Sequence, residues 1–194
     1  MPRLIAPVLP PGSLKSLQQP VLEIDNRLSL RPWTARDVSQ LVTAYSDPDI
    51  QRWNLHSFDT SEAEGLITKW SNDWKNETKA YWAIANSSDG IAFGQVGLRT
   101  INLVEGVGEI TYWIMPHARG TGAATLATST LSKWAFERLG LHRLELGHSV
   151  RNGASCRVAL KAGFELEGTL KSSVLHSDGW HDMHIHAQIN RETS

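Results

Sequence analysis

Residues 109–125 read EITYWIMPHARGTGAAT, and the fold turns on how that stretch divides. Glu109 to Met115 are mostly β-branched, aromatic or apolar, which predicts a strand stopped by Pro116. From Thr121 the chain reads as a helix that Gly140 ends. Between them lie a basic residue, Arg119, and the small residues Gly120, Gly122, Ala123 and Ala124. A helix N-terminus carries unpaired amides and a partial positive charge, so an anion rests there when small side chains expose the backbone. Two phosphate motifs fail here. A dinucleotide fingerprint needs a third glycine where Thr125 stands, and a Walker loop needs Gly-Lys-Ser/Thr, which the chain lacks. What remains is Arg-x-x-Gly-x-Ala, Arg119 to Ala124.

Working outward, five of the eight prolines fall in residues 1–20, which predicts an irregular arm before a domain over 21–194. Leu22, Ile24, Leu28 and Leu30 suggest a strand or hairpin ending at Arg31-Pro32. Thr34 with Asp37 predicts a capped helix, Asp47-Pro48 a second start, and Ser61 with Glu64 a third helix with Leu66, Ile67, Trp70 and Trp74 as its apolar stripe. AYWAIAN, IAFGQVGLRTIN and GEITYWIM form an antiparallel meander with a turn at Ser88-Asp89-Gly90. Beyond the central helix, HRLELGHSV reads as a strand, Asn152 to Ala162 as a helix stopped by Gly163, and residues 164–190 as two strands joined at Ser177-Asp178-Gly179. The order β-α-α-α-β-β-β-α-β-α-β-β, without repeats, is that of one mixed α/β domain.

Composition narrows the partners. Nineteen basic and twenty acidic residues leave a formal net charge of −1, so no overall field draws the chain to nucleic acid or an anionic membrane. No stretch approaches the roughly 20 apolar residues a membrane span needs. The one cysteine, Cys156, excludes an internal disulfide framework and fits a reducing compartment, so the expected location is the cytoplasm.

Some thirty residues after the anion turn, NGASCRVALKAGF (152–164) opens a second strand-to-helix junction. The two motifs at this separation resemble the GCN5-related N-acetyltransferase (GNAT) superfamily over residues 22–190. EITYWIMPHARGTGAAT and the closing SDGWHDMHIHAQI resemble its RimJ/RimL branch. The resemblance implies a single domain with a mixed, mostly antiparallel sheet of about seven strands flanked by helices and splayed between the fourth and fifth. It also implies acetyl-CoA as donor, its pyrophosphate on Arg119, Gly120, Thr121, Gly122, Ala123 and Ala124. Asn152 and Ser155 would support the pantetheine arm, and main-chain groups of Trp113, Ile114 and Met115 would pair with pantetheine and the acetyl carbonyl.

Direct acetyl transfer needs a held donor, a deprotonated amine, a stabilised oxyanion and a proton for the departing sulfur. By position in the family, Glu109 is the candidate base. The family's usual acid is a tyrosine four residues after the serine, where this chain has Ala159, so Ser155 becomes the candidate donor. Cys156 reads as a core residue rather than a nucleophile. The family builds its acceptor site from the loop of the first helices and the last hairpin, which implicates Trp53, Asn54, His56, Trp180 and His181, with Arg52 and Asp178 nearby. His184 and His186 share a strand face with His181 near the turn, but no third ligand is fixed by spacing and the family needs no metal, so none is expected. The implied acceptor is a primary amine, on a protein N-terminus or a small molecule, and the branch is often dimeric. The rival reading is a non-catalytic coenzyme A-binding module of the same fold.

Overall fold

The computed structural model describes residues 4–191; the ends of the expected arm (1–3) and domain (192–194) lie outside the described residues. The arm is irregular, as expected, but it is packed into the core. Leu14 is fully buried. The backbone N–H groups of Gly12 and Leu14 donate to the Glu77 carboxylate at 2.7 Å each, and the indoles of Trp74 and Trp82 donate to Leu17 O and Pro20 O.

The meander strands form where apolar, β-branched and aromatic residues predominate between turns: β3 (Ala80–Asn86), β4 (Ala92–Asn102) and β5 (Val107–Ile114). They follow a hairpin of β1 (Leu22–Glu23) and β2 (Leu28–Pro32) and precede β6 (Arg143–Ser149), β7 (Glu165–His176) and β8 (Gly179–Ile189). All eight make one sheet, in the order β1-β2-β3-β4-β5-β6-β8-β7. The extra strand over the expected seven arises because the opening segment divides into two. Every pairing is antiparallel except β5 with β6. Among the described residues no helix is long and apolar enough to cross a membrane.

Among the described residues five α-helices flank the sheet: α1 (Val38–Tyr45), α2 (Pro48–Asn54), α3 (Thr60–Lys75), α4 (Ala123–Trp134) and α5 (Gly153–Lys161). Thr34 and Asp37 make the expected capping box, which opens a short 3-10 turn ahead of α1. Asp37 also takes a bidentate pair from the buried Arg31, at 2.6 and 2.7 Å. Asp47 caps α2 as predicted. The N-cap of α3 is Asp59, two residues before the expected Ser61, and it forms the reciprocal box with Glu62. Helix α4 widens into a π-type turn over Ala135–Leu139 before Gly140, at φ +83°, ends it.

Strand alternation sorts side chains between the two faces of the sheet. Trp113 points to the α1 face, with its ring 5.7 Å from that of Tyr45, whereas Tyr112 points to α5, where it meets Ser155. Trp70 and Trp74 are buried and packed against Tyr81 and Trp82, and Trp82 against Trp134, so these indoles are core, as their stripe predicts.

Candidate active site

The sheet opens at its one parallel pairing. Strands β5 and β6 match at Val107↔Arg143, Gly108↔Leu144 and Glu109↔Glu145, and nowhere beyond, although both run on. Past Glu109, β5 is bonded only to β4, leaving a wedge-shaped cleft between the diverging strands. The expected splay is therefore visible in the register. Met115 N–H donates to Phe93 O at 2.8 Å, so by antiparallel alternation Trp113 also turns its backbone groups to β4, and Ile114 turns its own into the cleft. Of the three main-chain positions expected to meet the donor, the geometry favours Ile114.

At the cleft's end the anion turn has the conformation its composition demands. Gly120 and Gly122 sit at φ +78° and +84°, left-handed values that cost other residues about 1–2 kcal/mol. A Cβ built on either would meet no atom within 4 Å, so conformation rather than crowding selects glycine. Gly122 is the N-cap of α4 and brings no side chain to its first-turn amides; Ala123 N–H alone reaches Thr121 Oγ1, at 3.4 Å. Arg119 is otherwise engaged. Its guanidinium donates to Asp49 at 2.7 Å, Asp47 at 3.1 Å and Ile114 O at 3.1 Å, bracing the turn against the start of α2. With its charge matched by two carboxylates, the backbone amides carry most of the turn's attraction for an anion.

Across the cleft, Asn152 caps α5 by accepting from Ser155 N–H at 3.0 Å. Ser155 Oγ lies 2.6 Å from the hydroxyl of Tyr112. Burial of that phenol pushes its pKa up to about 12 against the opposing hydrogen bond from Ser155, so it stays protonated at neutral pH. Position 159, where the family's tyrosine stands, holds a fully buried alanine. A tyrosine from the facing strand thus brings a hydroxyl to the same serine. Sequence reading missed Tyr112; the clue was its place two residues before Ile114 on a cleft strand.

Glu109 lies on the other face. It sits inside β5, two residues past the observed start rather than at its end, with a side chain 20% exposed. Arg99 donates to its Oε1 at 2.5 Å, a bond that raises the Arg99 pKa. Register and alternation put Glu109, Glu145, Gly147, Ser149 and His181 on this face. Gly147 leaves the carboxylate room: a Cβ there would stand 3.6 Å from Glu109 Oε1.

The α2 end and the β7-β8 hairpin converge on the same face. His176 and His181 stack at 4.2 Å, and Trp53 meets both edge-on at 5.8 and 6.3 Å. Arg52 places its guanidinium 4.9 Å over Trp53 and gives its carbonyl to His176 Nδ1. His181 is 1% exposed and fixed between Asp178 (2.7 Å) and Ser149 Oγ (2.8 Å), a support more than a contact surface. The other expected acceptor residues stand apart. Asn54 donates to its own helix at Ile50 O, His56 stacks on Phe58 on the surface, and alternation turns the exposed Trp180 to the opposite face. His176 was not foreseen, because only the hairpin brings it to His181.

Comparison with known proteins agrees with this architecture. The family model described as an acetyltransferase (GNAT) domain matches residues 27–165. The N-acetyltransferase YoaA of Bacillus subtilis, itself uncharacterised, is 26% identical over 174 residues, 88% of this chain and 97% of its own. The ribosomal-protein-serine acetyltransferase of Escherichia coli is 30% identical over 96 residues, 50% of this chain and 54% of its own. The solved structure of RimL, a ribosomal α-N-protein acetyltransferase in complex with coenzyme A, superposes with a TM-score of 0.80 at 20% identity, covering 88% of this chain and 98% of that one. The chain therefore belongs to the GNAT acetyltransferase family.

Proposed function

We propose that the protein uses the β5-β6 cleft to pass an acetyl group through the plane of its sheet, from acetyl-CoA to a primary amine arriving on the Glu109 face. Acetyl-CoA is the donor substrate, as in the family to which the chain belongs. The observation that carries the reading is the cleft itself, with a hydroxyl pair, Tyr112 and Ser155, on one face and a carboxylate, Glu109, on the other.

In this reading the first-turn amides of α4 receive the pyrophosphate, and Ile114 N–H meets the thioester carbonyl, stabilising the oxyanion as the amine attacks. The new N–C bond forms, the C–S bond breaks, and the amine's proton passes to Glu109, directly or through water, and on to solvent. The sulfur leaves as thiolate. An ordinary thiol titrates near 8.5, roughly 3.5 units below the Tyr112 phenol, so full proton transfer from the phenol would cost about 5 kcal/mol. Ser155, backed by Tyr112, therefore stabilises the thiolate as a hydrogen-bond donor, and water supplies its proton.

For the acceptor, the names of the E. coli relative and of RimL support a protein N-terminal α-amine, and the Trp53-His176 surface beside Glu109 supplies an aromatic wall for a peptide's first residues. The test is thiol release from acetyl-CoA with a panel of peptides of varied N-terminus and of small amines, products read by mass spectrometry. Turnover with a peptide α-amine, falling by about two orders of magnitude or more in Glu109→Gln at unchanged coenzyme A affinity, is the expected result. Turnover with small amines alone would replace the acceptor assignment. Coenzyme A binding with no turnover on any amine would favour the non-catalytic module.

A further inference from the structure

On the α5 face, clear of the acceptor side, four metal-binding side chains converge. His148 on β6 lies directly across from His184 on β8, and His186, two residues on, faces Leu146 on the same side. Cys156 reaches this group from α5. Its sulfur and one ring nitrogen from each of the three histidines all lie within 4.8 Å of one another.

Hydrogen bonds around the rings prepare them as ligands. His148 Nδ1 is 2.8 Å from Ser149 O, and His186 Nδ1 is 3.4 Å from Phe164 O. A carbonyl can only accept, so when both Nδ1 atoms donate to these carbonyls both Nε2 atoms present lone pairs. Those two Nε2 atoms are 3.1 Å apart. Two bare lone pairs at that distance repel unless a shared cation lies between them. The rings are 5% and 0% exposed, where an imidazolium is costly. The third histidine adds an independent sign: His184 Nδ1 is buried and has no hydrogen-bond partner among the described residues. Carbonyl acceptors behind histidine ligands are the outer shell that fixes a tautomer for metal binding.

We propose that His148, His184, His186 and Cys156 bind a zinc ion that clamps α5 onto β6 and β8. A tetrahedral site with bonds of about 2.0–2.3 Å has edges of about 3.3–3.6 Å, so the 3.1 Å pair is close to one edge and the others close by up to about 1.3 Å. Thiolate and imidazole ligands select zinc over magnesium or calcium. Binding releases the Cys156 thiol proton to solvent and uses neutral histidines. Four protein ligands leave no open position, so the ion is structural, and Ser155, beside Cys156, is held at the cleft by it. The sequence expectation of no metal weighed only the histidines of the HDMHIH run; His148 and Cys156, far from it in sequence, join His184 and His186 only in the fold.

The experiment uses the full chain, any affinity tag removed, and reads metal rather than activity. Protein grown with zinc should carry about one zinc per chain by mass spectrometry, and Cys156→Ala and His184→Ala should each lose most of it. Cobalt(II) should give intense tetrahedral d–d bands with a thiolate charge-transfer band that Cys156→Ala abolishes. In wild type alone, zinc should slow Cys156 alkylation by about tenfold or more, and a chelator should restore it. That arm stands even if a variant fails to fold. Wild type that binds neither ion, cobalt spectra without the thiolate band, or Cys156 alkylation indifferent to zinc would each overturn the proposal.

Discussion

Replacing Tyr112 by phenylalanine is the sharpest probe of the cleft, because it removes one oxygen and leaves the packed ring. That oxygen is 2.6 Å from Ser155 Oγ, and the phenol is held protonated by burial. Loss of one neutral hydrogen bond should lower stability by about 1 kcal/mol. The effect on rate should be larger. If Ser155 donates to a developing thiolate, its strength in the transition state depends on the hydroxyl behind it, and a hydrogen bond to a charged group is worth about 1.5–3 kcal/mol. The expected fall in kcat is therefore about 10- to 100-fold, with little change in KM for acetyl-CoA. Thiol release at saturating amine measures it, and the cycle Tyr112→Phe, Ser155→Ala and double variant separates relay from mere proximity. The two substitutions should be strongly non-additive, the double variant about as slow as the worse single one. A Tyr112→Phe enzyme within twofold of wild-type kcat, or simple additivity, would refute the pairing.

The anion turn predicts an ordering: Gly122→Ala, which forces alanine to φ +84°, should raise KM for acetyl-CoA by about tenfold or more, while Arg119→Ala, whose guanidinium is tied to Asp47 and Asp49, should raise it less; the reverse order would show that the side chain holds the donor. The chain has only three tyrosines, and burial raises Tyr45, Tyr81 and Tyr112 all to about 12. Their native pKa values lie above the unfolded value near 10, so their contribution to stability is complete below about pH 10 and lost as pH rises toward 12. Tyrosinate absorbance should therefore show no native phenol titrating near 10; one that does contradicts the burial. At the other extreme, Asp37 is held below the usual carboxylate range, its desolvation outweighed by Arg31 and Thr34, so its contribution is lost as pH falls below about 4. Asp37→Asn, which strands the buried Arg31, should cost about 3 kcal/mol or more in denaturant titrations.

How far sequence alone could carry depended on whether the deciding force was local. AYWAIAN coincides with β3 because β-branched and aromatic residues run between two turn signals, and Asp47-Pro48 sets α2 because a cap and a proline act within one turn. Ser61 with Glu64 has the same three-residue spacing as Asp59 with Glu62, so spacing alone could not say that Asp59 takes the α3 cap. The turn over residues 119–124 could be read, since its conformation is set by consecutive residues. Pairings across the sheet could not. Tyr112 and Ser155 are 43 residues apart, and Arg119 meets Asp47 across 72, so neither contact leaves a mark in spacing. Nor could composition say that Trp53 and Trp180, both set beside the acceptor by analogy, would lie on opposite faces; that follows from which strand positions alternate with the buried His181.

The two faces of the sheet also explain why the splay is placed where it is. The parallel pairing of β5 with β6 ends after three residues, whereas the antiparallel pairings of β5 with β4 and of β6 with β8 run on. The divergence begins immediately past Glu109, so the proposed base stands at the last paired position of the two strands. Beyond it, β5 is fixed by β4 and β6 by β8, and neither wall of the cleft depends on the other for its hydrogen bonds. Donor and acceptor can therefore approach from opposite sides without unpairing the sheet. The cost falls on α5, which must hold Ser155 at the edge of an unpaired strand, and the zinc clamp proposed for its Cys156 with His148, His184 and His186 meets it.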